Sequence, residues 1–307
     1  MHRTLVVVAA LATGCAHGIP KDLRVESIAP VSATPQQLPR RMRVVTFNTH
    51  METAEHLVAG IKKDPMLRDV DVIALQEVVR DDTAPVPCSS ACGIGMALGY
   101  YAIYAPGHLA GRHSHGVAIL SRAPILSSQV IELPYMDVHI NARRCVALVA
   151  TIDVAGTPVT FYSVHLDNRL DMKQRRVQLR PVLEHARARK TPVIIAGDFN
   201  TGPFQWEAHL FPLPAGGAQA GSLEKLVRAY GFDTPVRGSG PTHELFGMKL
   251  DGLYTRGIVT KGFAVGRAGY VSDHWPLWAV MELSSNAFAK AVLELPKLRE
   301  PVQRLMR

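Results

Sequence analysis

Eight polar residues stand at the ends of apolar, strand-like runs. Asn48 follows Val44-Val45-Thr46-Phe47, Glu77 follows Val72-Ile73-Ala74-Leu75-Gln76, and His165 follows Phe161-Tyr162-Ser163-Val164. Asp198 and Asn200 follow Val193-Ile194-Ile195-Ala196-Gly197, Asp251 opens the run to Tyr254, and Asp273 with His274 precedes the run from Leu277 to Leu283. Alone, each is ordinarily a turn residue, a solvated charge or a hydrogen-bonded histidine. Together they make one constellation of groups that metal-assisted phosphoryl chemistry can use. A phosphate ester's negative charge repels nucleophiles, so carboxylate oxygens must hold a hard cation, Mg2+ or Mn2+, against it, and an acid–base group must manage the proton.

Positioning such groups takes many short strands, and the chain repeats the pattern. Val117 to Leu120, Val146 to Ile152 and Val159 to Val164 are further β-branched runs bounded by polar or turn residues. Helical spacing marks Thr53 to Lys63 and Asp171 to Arg189, where Met172, Val177, Leu179, Val182 and Leu183 share a face. Ala155-Gly156-Thr157-Pro158 between two strand runs reads as a hairpin, so the sheet is not purely parallel. The class is therefore mixed α and β (α+β), and two packed mixed β-sheets flanked by helices would bury both strand faces. No internal repeat or second domain boundary is visible, and Pro212 to Gly221 reads as a surface loop.

The chain has 307 residues, 47% hydrophobic and 20% charged, enough to bury a large core without disulfides. A net charge of +8 favours an anionic partner, such as nucleic acid, a phosphorylated metabolite or an acidic membrane. Arg3, the apolar run Leu5 to Ala12 and the small residues up to Cys15 have the layout of a bacterial export signal, too short for a membrane span of about 20 residues. Ala12-Thr13-Gly14-Cys15 resembles a lipoprotein cleavage site, which would put a lipid on Cys15; a plain cut near Ala16 would release a soluble protein. Either reading takes the mature chain out of the cytoplasm, to the periplasm, a membrane or the medium. In an oxidising compartment Cys88 and Cys92 are spaced for a local disulfide, whereas a zinc site with His108, His113 and His115 matches no common ligand spacing. Cys145, in an apolar run, reads as an unreactive thiol.

The order of motifs resembles the endonuclease/exonuclease/phosphatase superfamily, over about Arg43 to Leu283. The matching stretches are TFN at 46–48, ALQEV at 74–78, GVAILSR at 116–122, SVHLDN at 163–168, Arg175 with Gln178, AGDFN at 196–200, LDGLY at 250–254 and SDHWPL at 272–277. The resemblance implies a four-layer sandwich over residues 41–284, after a signal at 1–15 and a tether at 16–40, and before a helical tail at 285–307. It implies that Glu77, helped by Asn48, holds the cation, with Asp273 on the same or a second ion. Asp198 and Asn200 would position the water and a phosphate oxygen, and His274, oriented by Asp251, would act as base or as charged donor. His165 would donate to a phosphate oxygen or the leaving group. Arg122, Arg143 and Arg144 are either structural cations or phosphate contacts, and His50 either faces the metal pocket or begins a loop.

Histidine at 165 separates the chain from AP endonucleases, which resemble this stretch but carry tyrosine there. A monomeric phosphodiesterase acting on nucleic acid leads. A phospholipase C-like or small-phosphate activity is the alternative, and a surface binding module without turnover is the third reading.

Overall fold

A computed structural model of the chain describes residues 18–30, 37–136, 138, 143–207, 211–214, 219–266 and 271–284. In chain order the elements are β1 (Glu26–Ile28), β2 (Arg41–Asn48), α1 (Ala54–Lys63), β3 (Val72–Asp81), α2 (Ser90–Leu98), β4 (Tyr101–Ala110), β5 (His113–Ser121), β6 (Ile125–Glu132), β7 (Val146–Val154) and β8 (Thr157–His165). They continue with α3 (Met172–Ala188), β9 (Val193–Asp198), β10 (Phe204–Glu207), β11 (Phe211–Pro214), α4 (Gln219–Ala229), β12 (Asp251–Arg256), β13 (Ile258–Val265) and β14 (Leu277–Leu283). One sheet has the order β1-β4-β5-β3-β2-β14-β13 and the other β12-β9-β8-β7-β6, while β10 and β11 form a separate hairpin.

Continuous apolar runs become strands here because both faces of each central strand are covered. Alternate residues divide accordingly. Val44, Val72, Ile119, Leu148, Phe161 and Ile194 meet between the two sheets. Val45, Ile73 and Leu120 pack outward with Leu57 and Ile61 of α1 and Ile94 of α2, and Val149, Tyr162 and Ile195 pack outward with Leu179, Val182 and Leu183 of α3 and Leu223 of α4. The result is the four-layer α+β sandwich that the resemblance implied. α3 starts at a capping box, with Asp171 and Gln174 each bonding the other's backbone N–H.

Gly197 shows how tightly β9 is held: a Cβ there would lie 2.2 Å from Val164 O on the parallel neighbour β8. The expected hairpin is present as β7–β8, turning at Ala155 and Gly156. Cys88 and Cys92 form a disulfide at the start of α2, which takes both thiols away from a zinc site.

Two expectations are corrected. Part of the tether is folded onto the domain, since β1 pairs with β4 and Leu38 bridges to Val154, so backbone pairing orders a stretch that lacks an apolar period. The expected loop from Pro212 to Gly221 carries most of β11 and the start of α4. The signal at 1–15 and the helical tail at 285–307 lie outside the described residues.

Candidate active site

Strand direction gathers the site. β2 and β3 run parallel with Asn48 beside Gln76, and β8 and β9 run parallel with His165 beside Asp198, so four polar residues leave the same edge of the sandwich. β14 and β12 are antiparallel to β2 and β9, so their first residues lie at that edge too: Leu277 pairs with Thr46 and Asp251 with Asp198. All eight predicted residues are therefore brought to one end of the fold.

The two sheets are tied there by buried polar groups. Gln76 Nε2 donates to Ser163 Oγ (3.1 Å), Ser163 Oγ donates back to Leu75 O (3.0 Å), and Thr46 Oγ1 donates to Gln76 Oε1 (3.2 Å). Asn48 Nδ2 bridges Glu77 Oε1 (3.1 Å) and Asp198 Oδ2 (3.0 Å), joining the sheets within the polar cluster. Glu77 sits in a β-bulge of β3 at φ 53°, and Asn200 at φ 52°. Left-handed backbone at non-glycine residues is strained and persists where surroundings impose it. Asn200 is held by its own N–H to Asp198 Oδ1 (2.8 Å) and by Nδ2 to Leu166 O (2.7 Å).

His274 Nδ1 lies 3.0 Å from Asp251 Oδ2, and its Nε2 faces Asp198 Oδ2 at 3.8 Å. Burial opposes its charge, yet the carboxylates of Asp251 and Asp198 raise its pKa to about 10. Burial likewise works to raise the pKa of Asp198, but His274, His165, the Asn48 amide and the Asn200 N–H together hold it below the ordinary value. Asp251 moves the other way, raised by burial. His165 Nε2 lies 3.6 Å from Asp198 Oδ2 and 3.8 Å from Glu77 Oε1, between the two carboxylates.

A cleft of about 980 Å3 opens over these groups and is lined by Glu77, His165, Asp198, Asn200, Asp273 and His274, among others. The donor set suits a divalent cation. Glu77 offers a carboxylate oriented by Asn48, and Asp273 Oδ1 is buried without a hydrogen-bond partner. His243, Asp273 and His274 place ligand-type atoms within 4.8 Å of one another, as do Asp198, Asp251 and His274.

Of the three arginines, Arg143 and Arg144 line the cleft; Arg122 does not, and donates to Arg68 O at 2.8 Å. Arg143 is committed to Asp167 (3.2 Å) and Asn168 (2.6 Å), and Arg144 to Glu132 (3.0 Å) and Pro106 O (2.8 Å). Arg175 and Gln178 of α3 fix the same loop, through Arg175 Nη2 to Asn168 O (2.8 Å) and Asp167 N to Gln178 Oε1 (2.9 Å). Cys145 is partly buried, and burial pushes its thiol up to about 12.

His243 was missed by sequence reasoning. Its segment bridges to His274, its ring stands edge-on to the His274 ring at 4.6 Å, and its Nε2 lies 3.2 Å from Asp273 Oδ2. Thr242-His243-Glu244 has no flanking strand pattern that could have marked it.

Two packed mixed sheets flanked by helices, with carboxylates, amides and imidazoles clustered at one edge, define the class as an α+β sandwich. The endonuclease/exonuclease/phosphatase family profile matches residues 45–274, and the chain belongs to that family, whose members are hydrolases acting on phosphate esters. Among solved structures, an endonuclease/exonuclease/phosphatase from Beutenbergia cavernae is 22% identical with TM-score 0.62, covering 80% of this chain and 72% of its own. A family protein from Leptotrichia buccalis is 20% identical with TM-score 0.60, covering 78% and 99%. D. rerio TDP2, complexed with single strand DNA product, is 17% identical with TM-score 0.55, covering 79% and 99%. At these identities the likeness is one of fold. No curated protein matches the chain.

Proposed function

We propose that this protein is a divalent-metal-dependent phosphodiesterase that cleaves nucleic acid by in-line attack of water. The observation that carries the reading is the run of hydrogen bonds and close charge contacts from Asp251 through His274, Asp198 and Asn48 to Glu77, with His165 beside it. A cation held by Glu77 with Asn48, Mg2+ or Mn2+, would neutralise the phosphate and stabilise the leaving oxygen, with Asp273 on a second ion. The protein's own residues do the rest. His274, kept charged by Asp251 and Asp198, donates to a phosphoryl oxygen, where a preformed charge costs no reorganisation during reaction. Asp198, kept ionised, accepts from the attacking water and takes its proton, with Asn200 fixing its direction. His165 donates to the leaving side.

Nucleic acid is favoured by the net charge of +8 and by a fold neighbour whose structure holds a single strand DNA product. Degradation of plasmid DNA or RNA in Mg2+, lost in Glu77→Ala and His274→Ala, is the expected result; undiminished cleavage by both variants would remove this site. One observation favours a second reading. Met51 and Leu245, 44% and 42% exposed, line the same cleft and suit a substrate with an apolar group. Release of phosphocholine or inorganic phosphate without nuclease activity would select it.

Export, with lipidation at Cys15, completes the proposal. It is supported by the Cys88–Cys92 disulfide, which an oxidising compartment maintains. No helix among the described residues is long and apolar enough to cross a membrane. Labelling with a fatty-acid analogue, lost in Cys15→Ser, tests the anchor.

A further inference from the structure

We propose that His50 Nδ1 and Asp273 Oδ1 are two ligands of a second cation position, suited to a borderline ion of the Zn2+ or Mn2+ type rather than to Mg2+. The inference rests on the phosphodiesterase reading and specifies its metal.

His50 Nδ1 and Asp273 Oδ1 face each other at 3.5 Å, and Oδ1 has no hydrogen-bond partner although it is buried. An orphaned carboxylate oxygen is costly. Two atoms that ligate one ion at about 2.1 Å lie roughly 3.0 to 3.4 Å apart, close to the spacing seen.

The other oxygen of Asp273 is already used. Leu245 N–H donates to His243 Nδ1 at 3.0 Å, so the hydrogen of that imidazole sits on Nε2 and is given to Asp273 Oδ2 at 3.2 Å. His243 is thereby a donor that turns the carboxylate, the arrangement that orients ligands around protein metals. It leaves Oδ1 pointed at His50.

The backbone at His50 is left-handed (φ 48°), as it is at Met51 (φ 62°), and His50 N–H donates to Asn48 Oδ1 at 3.0 Å. A strained non-glycine conformation is thus imposed by the same asparagine that orients Glu77, and it places the imidazole on the cleft wall. Imidazole nitrogen on a carboxylate site shifts preference from Mg2+ toward Mn2+, Co2+ and Zn2+.

The test uses the full chain, stripped with a chelator and titrated with Co2+ while visible absorption is recorded, followed by displacement with Zn2+. The wild type is expected to develop Co2+ bands that excess Mg2+ does not abolish. Both His50→Ala and His50→Asn, the latter chosen because asparagine tolerates left-handed backbone, should bind Co2+ about tenfold or more weakly. His243→Leu should weaken binding roughly 10- to 100-fold, and His243→Gln, which keeps an N–H donor, should recover part of it. Unchanged Co2+ bands and affinity in both His50 variants would overturn the proposal and leave His50 as an ion-pair partner of Asp273. Glu77→Gln separates this from the catalytic reading: it should lose Mg2+-supported hydrolysis and keep the Co2+ bands. Retained hydrolysis in Glu77→Gln would defeat the catalytic reading alone, and the His50 titration would still decide the metal position.

Discussion

The seven-stranded sheet delivers Asn48 and Glu77 on one parallel strand pair, and the five-stranded sheet delivers His165 and Asp198 on another. The two ends look alike in sequence, yet they are finished differently. Glu77 keeps 25% of its side chain exposed to the cleft, whereas Asp198 and Asp251 are each 1% exposed and closed over by His274. The first half is left open to receive a charge from outside, and the second has its carboxylates already paired with His274. Function and stability should therefore come apart between them.

The sharpest way to break this contrast is Glu77→Ala. It should lower phosphodiester turnover by roughly 10²-fold or more, because the cation loses its carboxylate ligand, while shifting denaturant stability by less than about 1 kcal/mol, because a partly exposed carboxylate contributes little to folding. A large loss of stability would mean that the open half is as structural as the closed one. On the closed side, Asp251→Ala leaves the His274 charge buried against one remaining carboxylate. Urea unfolding should report a loss of about 3 kcal/mol, from the unpaired His274 Nδ1–H, together with loss of activity.

The rim of the five-stranded half gives a pH-dependent version of the same test. Burial pushes the Asp167 carboxyl up, but Arg143 and the Arg169 N–H bring it below its ordinary value. A depressed folded pKa stabilises fully above the unfolded value of about 3.9 and is lost as pH falls through the folded value. Arg143→Met should cost about 3 kcal/mol at pH 7, with the gap to the wild type closing below about pH 4. A gap independent of pH would assign Arg143 to packing alone. The smallest effect belongs to the disulfide, whose cysteines lie outside the cleft lining. Closing so short a loop is worth about 2 kcal/mol, so Cys88→Ser with Cys92→Ser should lower the melting temperature and leave kcat unchanged.

The parts of the fold that could be read from residues were those whose burial leaves a pattern. Val44 to Phe47 and Val193 to Ala196 are apolar at every or nearly every position because a sheet or a helix covers each face. α3 showed itself through the spacing of Leu179, Val182 and Leu183. By contrast β1 is three residues held by backbone pairing, and β6 and β13 are edge strands with mostly partly exposed or exposed residues, so neither carries an apolar signature. His243 left none either, because its partners Asp273 and His274 lie thirty residues on and meet it only through a bridge between two loops.

The order of residue types along the chain was enough to determine the family and to single out Asn48, Glu77, His165, Asp198, Asn200, Asp251, Asp273 and His274, while the spacing of Cys88 and Cys92 allowed a disulfide that the fold then makes. Strand periodicity and motif order are local properties, and they survive in one dimension. Tertiary structure alone decided which carboxylate stays open and which is closed, that Arg143 and Arg144 are committed to protein partners, and that His50 turns its imidazole to Asp273. Charge balance and hydrogen-bond direction depend on distances across two sheets, and those distances exist only once the sheets have packed.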